Sequence, residues 1–338
     1  MSGLTKQSGH HVITLGTAGG PRFWRDSSRT GIATAIVVDD GFYLVDCGHG
    51  VGRQIERAGL EMSRLKGIFL THLHSDHTVD LNTLALFGLF ELQDRIGRPV
   101  PIIGPGDRGA LPPVSPLAAV APSPVAPYSP TPGTAEMFLR LMEAAATDLN
   151  DRVIDALRPS PLDIFAAQDI EIPSSLEFHP NENPVPATNG FEIFRDESVV
   201  VTATLVQHPP VAPAFAFRFD TAQGSVCVSG DTTYTPNMVR LSRDAGLVLH
   251  EAIDFDFMES MYRGKDDEMS RASLAHHYKS HTSVADAVRV AREAGARRLA
   301  LHHLVPGSGA IAWERVAAEG YSGEFLVPDD LAVIPFGT

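Results

Sequence analysis

Cysteine is almost missing from this chain. Cys47 and Cys227 are the only two in 338 residues and lie far apart, which excludes a disulfide framework and any thiolate-based zinc site. Both fall in apolar, strand-like runs and read as buried thiols. Long apolar runs are absent as well: no stretch of about 18 such residues occurs, so the sequence offers no membrane span and no membrane partner. Residues 1–12 lack the basic start and apolar stretch of a signal peptide, and a cytoplasmic protein is expected. Positive charge is scarce, with 27 Lys and Arg against 41 Asp and Glu and a formal net charge of −14. Phosphate backbones are bound where Lys and Arg cluster and displace counterions, so this balance argues against a long nucleic-acid footprint and leaves only a local basic pocket open. A phosphate loop is missing too. The turn Gly16-Thr17-Ala18-Gly19-Gly20-Pro21 has no Lys-Ser/Thr after it, no GxGxxG spacing and no helix following, and reads as a tight turn. Arg22, Arg25 and Arg29 behind it are the candidates for one anion contact.

Short β-branched runs, by contrast, are plentiful. A hydrophobic content of 43% can fill a core, and the length suits one large α/β domain spanning 1–338. Residues 12–15, 32–38 and 42–45 read as a meander, the last two joined by Asp39-Asp40-Gly41. A helix over 51–58 stops at Gly59, a strand over 67–70 follows, and helical spacing resumes over about 79–92. Nine prolines between residues 105 and 132 forbid helix or interior strand, because each removes a donor and fixes φ. Met137, Leu141, Ala144, Ala145, Leu149, Val153 and Leu157 then recur at helical spacing until Pro159 and Pro161. Residues 105–170 are expected to be an insertion serving as a lid, a dimer contact or a peripheral elaboration. The second half repeats the style of the first, with strands over 199–206, 214–219, 225–228, 247–250, 298–301 and 331–335 and helices over 237–244, 284–294 and 313–318. Two similar halves of strands followed by helices suggest two sheets face to face with helices outside.

Three of the 14 histidines, His72, His74 and His77, fall within six residues together with Asp76. On an extended segment His72 and His74 point to one side, while a turn beginning near Asp76 swings Asp76 and His77 toward a second position nearby. One peptide can thus serve two metal ions. Four ligand-type residues in that window are hard to explain as packing.

The segment Thr71-His72-Leu73-His74-Ser75-Asp76-His77, with the apolar strand before it, resembles the HxHxDH signature of the metallo-β-lactamase superfamily. The resemblance implies a four-layer αββα sandwich, classed as α/β (α+β), with a dinuclear site at one edge of the sheets. It assigns His72 and His74 to the first ion, and Asp76 and His77 to the second. Three downstream ligands are then implied: His208 at the end of one strand, Asp231 in Ser229-Gly230-Asp231-Thr232 as the bridge, and one of His302 and His303 after another strand, with His303 preferred. Two divalent ions are expected, zinc first, with Mn²⁺ or Fe²⁺ compatible with such His/Asp ligands.

Within the superfamily the chain is similar to the ribonuclease Z and arylsulfatase-like branch. His250-Glu251-Ala252 and Ser280-His281-Thr282-Ser283 resemble that branch's His-Glu-Ala and Gly-His-Ser-Thr segments. The resemblance implies catalytic roles for Asp76, Glu251 and His281, the last two in proton transfer. His281 could instead cap the helix that begins near Ser283, and His276 and His277 either line the entrance or are simply exposed.

The expected activity is metal-dependent hydrolysis of a small-molecule ester, phosphodiesters and aryl sulfates first, lactones and carboxyl esters next. tRNA 3′ processing by a ribonuclease Z-type endonuclease is the alternative. Such enzymes clamp tRNA with a basic arm, whereas the insertion here carries Glu136, Glu143, Asp148, Asp151 and Asp155 against Arg140 and Arg152, so nucleic acid is set aside as a partner. A non-catalytic metal-binding scaffold would require a lost ligand or relay residue, and neither is lost. A redox di-iron protein would place an acid where His74 stands. Apolar residues of the insertion, Tyr128, Phe138 and Phe165, are candidates for a pocket wall or for core, and a homodimer is expected from the branch.

Overall fold

The computed structural model describes residues 9–308, 313 and 320–337. Its first half holds β1 (His11–Gly16), β2 (Ala33–Val38), β3 (Gly41–Val45), α1 (Val51–Arg57), β4 (Leu65–Phe69), α2 (Ser75–Thr78), α3 (Leu81–Gly88), β5 (Val100–Gly104), α4 (Thr134–Ala144), α5 (Ala146–Ile154), α6 (Pro161–Ile164) and β6 (Phe165–Asp169). The second half holds β7 (Phe191–Arg195), β8 (Val199–Leu205), β9 (Phe215–Thr221), β10 (Gly224–Val228), α7 (Pro236–Leu241), β11 (Leu247–Ile253), α8 (Phe255–Tyr262), α9 (Glu268–Ser280), α10 (Val284–Ala294), β12 (Arg298–Val305), β13 (Glu324–Leu326) and β14 (Val333–Pro335).

These strands form two seven-stranded sheets, ordered β14-β1-β2-β3-β4-β5-β6 and β13-β12-β11-β10-β9-β8-β7. Each combines an antiparallel meander with a parallel part, which begins at β3–β4 in one sheet and at β10–β11 in the other. Period-two alternation decides the layering. Tyr43 and Val45 join the cluster between the sheets with Phe69, Phe215, Phe217 and Phe219, whereas Phe42 and Leu44 of the same strand face the outer cluster with Val51, Leu84 and Phe138. Burying each such aromatic contributes about 1.5–3 kcal/mol relative to exposure. Across the second sheet, Met238 of α7 and Val288 and Ala291 of α10 pack on Cys227, Val248 and Leu299. The architecture is the expected αββα sandwich.

The differences from the sequence reading have local causes. The helix expected over 79–92 is only α3, with the separate helical turn α2 before it in the histidine segment, and Asp80 uses its carboxylate to hold Gly50 N–H at 2.6 Å rather than to cap α3. The helix expected over 134–157 breaks at Ala145, yet Phe138, Met142 and Leu149 remain on one buried face, so periodicity alone could not reveal the break. Residues 165–169 are the edge strand β6, parallel to β5. The helices α8 and α9 have no counterpart among the sequence expectations. Apart from the buried Trp313, the helix expected over 313–318 lies outside the described residues. Among the described residues no helix is long and apolar enough to cross a membrane.

Candidate metal centre

The functional side chains gather where strands end. β4 delivers the segment from Thr71 to His77, β8 leads to His208, β10 to Asp231, and β12 carries His303. Phe215 N–H bonds Thr71 O at 2.9 Å, which ties the histidine segment of the first sheet to the second. At His303 the backbone turns to φ 47°, and the β11–β12 register slips beside it, so His302 and His303 do not simply alternate. His303 lies among the candidate ligands, while His302 is buried outside them.

Asp231 belongs to three donor clusters, one with Glu251 and His281 and two richer in histidine. Of the latter two, one comprises His72, His74, His208 and Asp231; the other comprises Asp76, His77, Asp231 and His303; in each, the donor atoms lie within 4.8 Å of one another. His208 Nε2 is 3.3 Å from His74 Nδ1, and His303 Nε2 is 3.3 Å from both Asp76 Oδ2 and Asp231 Oδ1. His77 Nε2 is 3.4 Å from Asp231 Oδ1. A tetrahedral ion with ligands at about 2.0–2.1 Å holds its donors about 3.3 Å apart, so this spacing suits a shared metal. His72 Nε2, His77 Nε2 and Asp231 Oδ1 are buried without hydrogen-bond partners, the condition that a bound cation relieves. The donors fit divalent metal ions of the N/O-preferring kind.

The surrounding groups orient the imidazoles. His77 Nδ1–H donates to Asp46 Oδ2 at 2.8 Å, and His208 Nδ1–H donates to Ser280 O at 2.8 Å. Asp46 also accepts from Thr71 N–H and Thr71 Oγ1, each at 2.8 Å. With Nδ1 protonated, Nε2 of both rings presents a lone pair inward. Asp46 is not among the sequence candidates, because its role depends on a contact across 31 positions. Burial holds His72 and His208 well below the ordinary histidine range, in the neutral form that ligates. Burial acts the same way on His77, but Asp231, Asp46 and Asp76 outweigh it and lift its pKa. Asp231 is pushed up by burial, yet His303 and His77 dominate and hold it well below the carboxylate range.

Glu251 and His281 also meet here: His281 Nδ1 is 3.1 Å from Glu251 Oε1 and 3.8 Å from Asp231 Oδ2. Burial opposes protonation of His281, but Glu251 and then Asp231 raise it to about 9. The cap of α10 is supplied by Ser283, whose Oγ accepts from Asp286 N–H at 3.1 Å, so His281 is free of that duty.

A cavity of about 370 Å³ adjoins the clusters, and His276, His277 and Arg22 line it. Trp24, Met258, Met261 and Tyr262 line it too and were not anticipated; the Phe/Met spacing in α8 was the available signal. Phe138 and Phe165 belong to the outer core and Tyr128 is fully exposed, so none of the three forms the wall. Arg29 is engaged with Thr17, Pro328 and Asp329.

A family model described as "Beta-lactamase superfamily domain" matches residues 146–304, and one described as "Anti-Pycsar protein Apyc1" matches 30–101. The second interval contains the histidine segment and the first contains the downstream donors. The chain is similar to the metallo-β-lactamase superfamily over 146–304, and its two sheets flanked by helices have that fold. Within the superfamily, a ribonuclease Z from Mycobacterium sp. (strain KMS) is 29% identical over 311 residues, 90% of each chain. Human tRNase Z, short form, superposes with a TM-score of 0.62 at 20% identity, covering 97% of this chain and 100% of that one. The metallo-β-lactamase fold protein YhfI from Bacillus subtilis superposes with a TM-score of 0.58 at 18% identity over 96% and 98% of the two chains.

These relatives correct the expectation of a small-molecule ester partner with nucleic acid set aside. Relatives named for ribonuclease activity match along nearly their whole length, and that expectation does not stand. Its weakness was physical. Net charge is a whole-molecule sum, whereas screening over about 8–10 Å leaves a phosphate at the centre responsive to the groups around it.

Proposed function

We propose that this chain is a metal-dependent endoribonuclease of the ribonuclease Z type, acting in the cytoplasm on an RNA phosphodiester bond. The observation that carries the reading is the pair of donor clusters sharing Asp231, with the Glu251–His281 pair against them. His72, His74, His208 and Asp231 would hold one divalent ion, and Asp76, His77, His303 and Asp231 a second, zinc being favoured by the imidazole-rich set. Bound there, the ions supply a water activated near neutral pH and positive charge for the phosphoryl oxygens. His281 donates a proton from Nε2 to the departing oxygen, while Glu251 fixes its ring through Nδ1–H and sustains the imidazolium; such a general acid contributes about 10²- to 10⁴-fold.

The test is cleavage of precursor tRNA by metal-loaded protein, with the product ends mapped, beside bis(p-nitrophenyl) phosphate. Site-specific cutting that a chelator abolishes is expected. Hydrolysis of the chromogenic diester with precursor tRNA left intact would overturn the RNA assignment. Because the insertion is acidic rather than basic, catalysis is expected to depend on salt less steeply than an arm-clamped complex would.

A further inference from the structure

The wall of the 370 Å³ cavity is not what a phosphate alone requires. Phosphoryl oxygens need cations and donors, and the donor clusters at the cavity floor are suited to provide them. The lining also includes Trp24, Met258, Met261 and Tyr262, presented by the turn after Gly20 and by α8. An apolar, aromatic wall beside a phosphate site has use only if something flat and apolar is attached to that phosphate. The volume lies at the small end of ligand pockets, room for one nucleotide unit rather than a stack.

Two further observations narrow the occupant. The Arg22 guanidinium, itself on the cavity lining, lies 5.2 Å over the Trp24 ring, and Lys265 Nζ, outside the lining, lies 5.8 Å from the Tyr262 ring. Arg22 Nη1 rests against Met261 Sδ at 3.2 Å, a weak acceptor that an incoming phosphate would outcompete. Lipophilic ligands have no use for such cations, whereas a base flanked by phosphates does. His277, on the same cavity, has a buried Nδ1 with no hydrogen-bond partner, a group suited to the polar edge of a base. His281, the general acid of the proposed reaction, also lines the cavity.

We propose that this cavity is a nucleobase pocket: it receives the base of the nucleotide bearing the leaving oxygen, stacked against Trp24 and Tyr262, with its edge toward His277. The proposal rests on the phosphodiesterase reading above. It adds Trp24, Tyr262 and Arg22 as determinants of which nucleotide sits at the cut.

The chain has two tryptophans, Trp24 and the buried Trp313, so Trp24 can report occupancy without turnover. Metal-loaded protein is titrated with adenosine 3′-monophosphate and, separately, with ribose 5-phosphate, following fluorescence. Saturable quenching by the nucleotide alone is expected, lost in Trp24→Phe. Calorimetry should show affinity for the nucleotide reduced about tenfold or more in Trp24→Ala and in Tyr262→Ala, as expected for loss of a stacking platform, with metal content and thermal unfolding checked in each. Equal quenching by ribose 5-phosphate, or unchanged affinity in both variants, would overturn the pocket. A second arm uses RNA with an abasic site at the nucleotide bearing the leaving oxygen. Wild-type kcat/KM should fall about tenfold on this substrate, and Trp24→Ala should discriminate far less between the two RNAs. If RNA is cut equally well with and without that base, the pocket is wrong and the ribonuclease reading survives. Base-dependent quenching in a protein that cuts no RNA has the opposite meaning.

Discussion

Asp46 offers the sharpest test of how the centre is held. Its carboxylate is 2% exposed, accepts from Thr71 N–H and Thr71 Oγ1, and receives His77 Nδ1–H, all at 2.8 Å. Asp46→Asn preserves shape, and asparagine tolerates the φ of 61° at this position. The Asn oxygen can keep Thr71 N–H. Its amide then faces His77, which must accept at Nδ1 and carry its proton on Nε2, aimed into the donor cluster. A ring protonated there cannot ligate. The metal-free fold should lose about 1.5–3 kcal/mol, because Asp46 helps to hold His77 protonated there and the lost hydrogen bond is to a charged group. Affinity for the ion nearest His77 should fall about 10- to 100-fold, or roughly 1.4–2.7 kcal/mol. Asp46→Ala should cost the metal-free fold about 3–5 kcal/mol, because Thr71 N–H and His77 Nδ1–H lose their buried acceptor and alanine is strained at positive φ. Thermal unfolding in chelator measures the first quantity, and competition with a chromogenic chelator measures the second. Wild-type metal affinity in Asp46→Asn would refute the tautomer argument, and ¹⁵N shifts of His77 would show which nitrogen carries the proton.

Asp231→Ala should abolish metal binding and activity together, since both clusters share that carboxylate; a variant that retained one ion per chain by mass spectrometry would show that the clusters are independent. His281→Ala should retain metal and lose about 10²- to 10⁴-fold in turnover, an effect that shrinks for substrates with a good leaving group. His281 has its pKa raised from 6.5 to about 9, so its protonated form is favoured in the fold: its contribution to stability is full below pH 6.5 and lost as pH rises through about 9. Activity that needs this proton should hold at neutral pH and fall above about 9. Glu251→Gln should move that limb of the kcat/KM profile down toward 6.5, and an unmoved limb would remove His281 from the proton-transfer role. Gly19→Ala should weaken metal binding, because a Cβ there would lie 2.4 Å from His303 Nδ1; unchanged metal content would mean that the turn can shift.

Much of the centre was legible because its parts are local or sit in recognisable order. His72, His74, Asp76 and His77 declare themselves within six residues, and the alternation in β3 and β9 is a direct readout of two-faced burial. His208, Asp231 and His303 are each a single residue after an apolar run, and only a resemblance to a known pattern distinguishes them from core histidines and turn aspartates. Glu251 and His281 were found the same way.

What remained hidden is what depends on approach between distant segments. Nothing near Asp46 announces that it will orient His77, because the contact exists only when β3 and β4 lie side by side. The cavity wall joins Trp24 to Tyr262, more than two hundred positions apart, and α8 escaped notice because helical spacing does not say which cavity a helix will overlook. Charge misled for a related reason: the acidic total is a property of composition, while a substrate phosphate responds to groups within a screening length, chosen by the fold. Sequence alone determined the local cluster of ligand-type residues and suggested two packed sheets, since these follow from residue type and local periodicity, while the downstream ligands came from the resemblance. Tertiary structure decided which imidazole nitrogens face inward, which carboxylates orient them and what surrounds the substrate, because these are set by distances between atoms far apart in the chain.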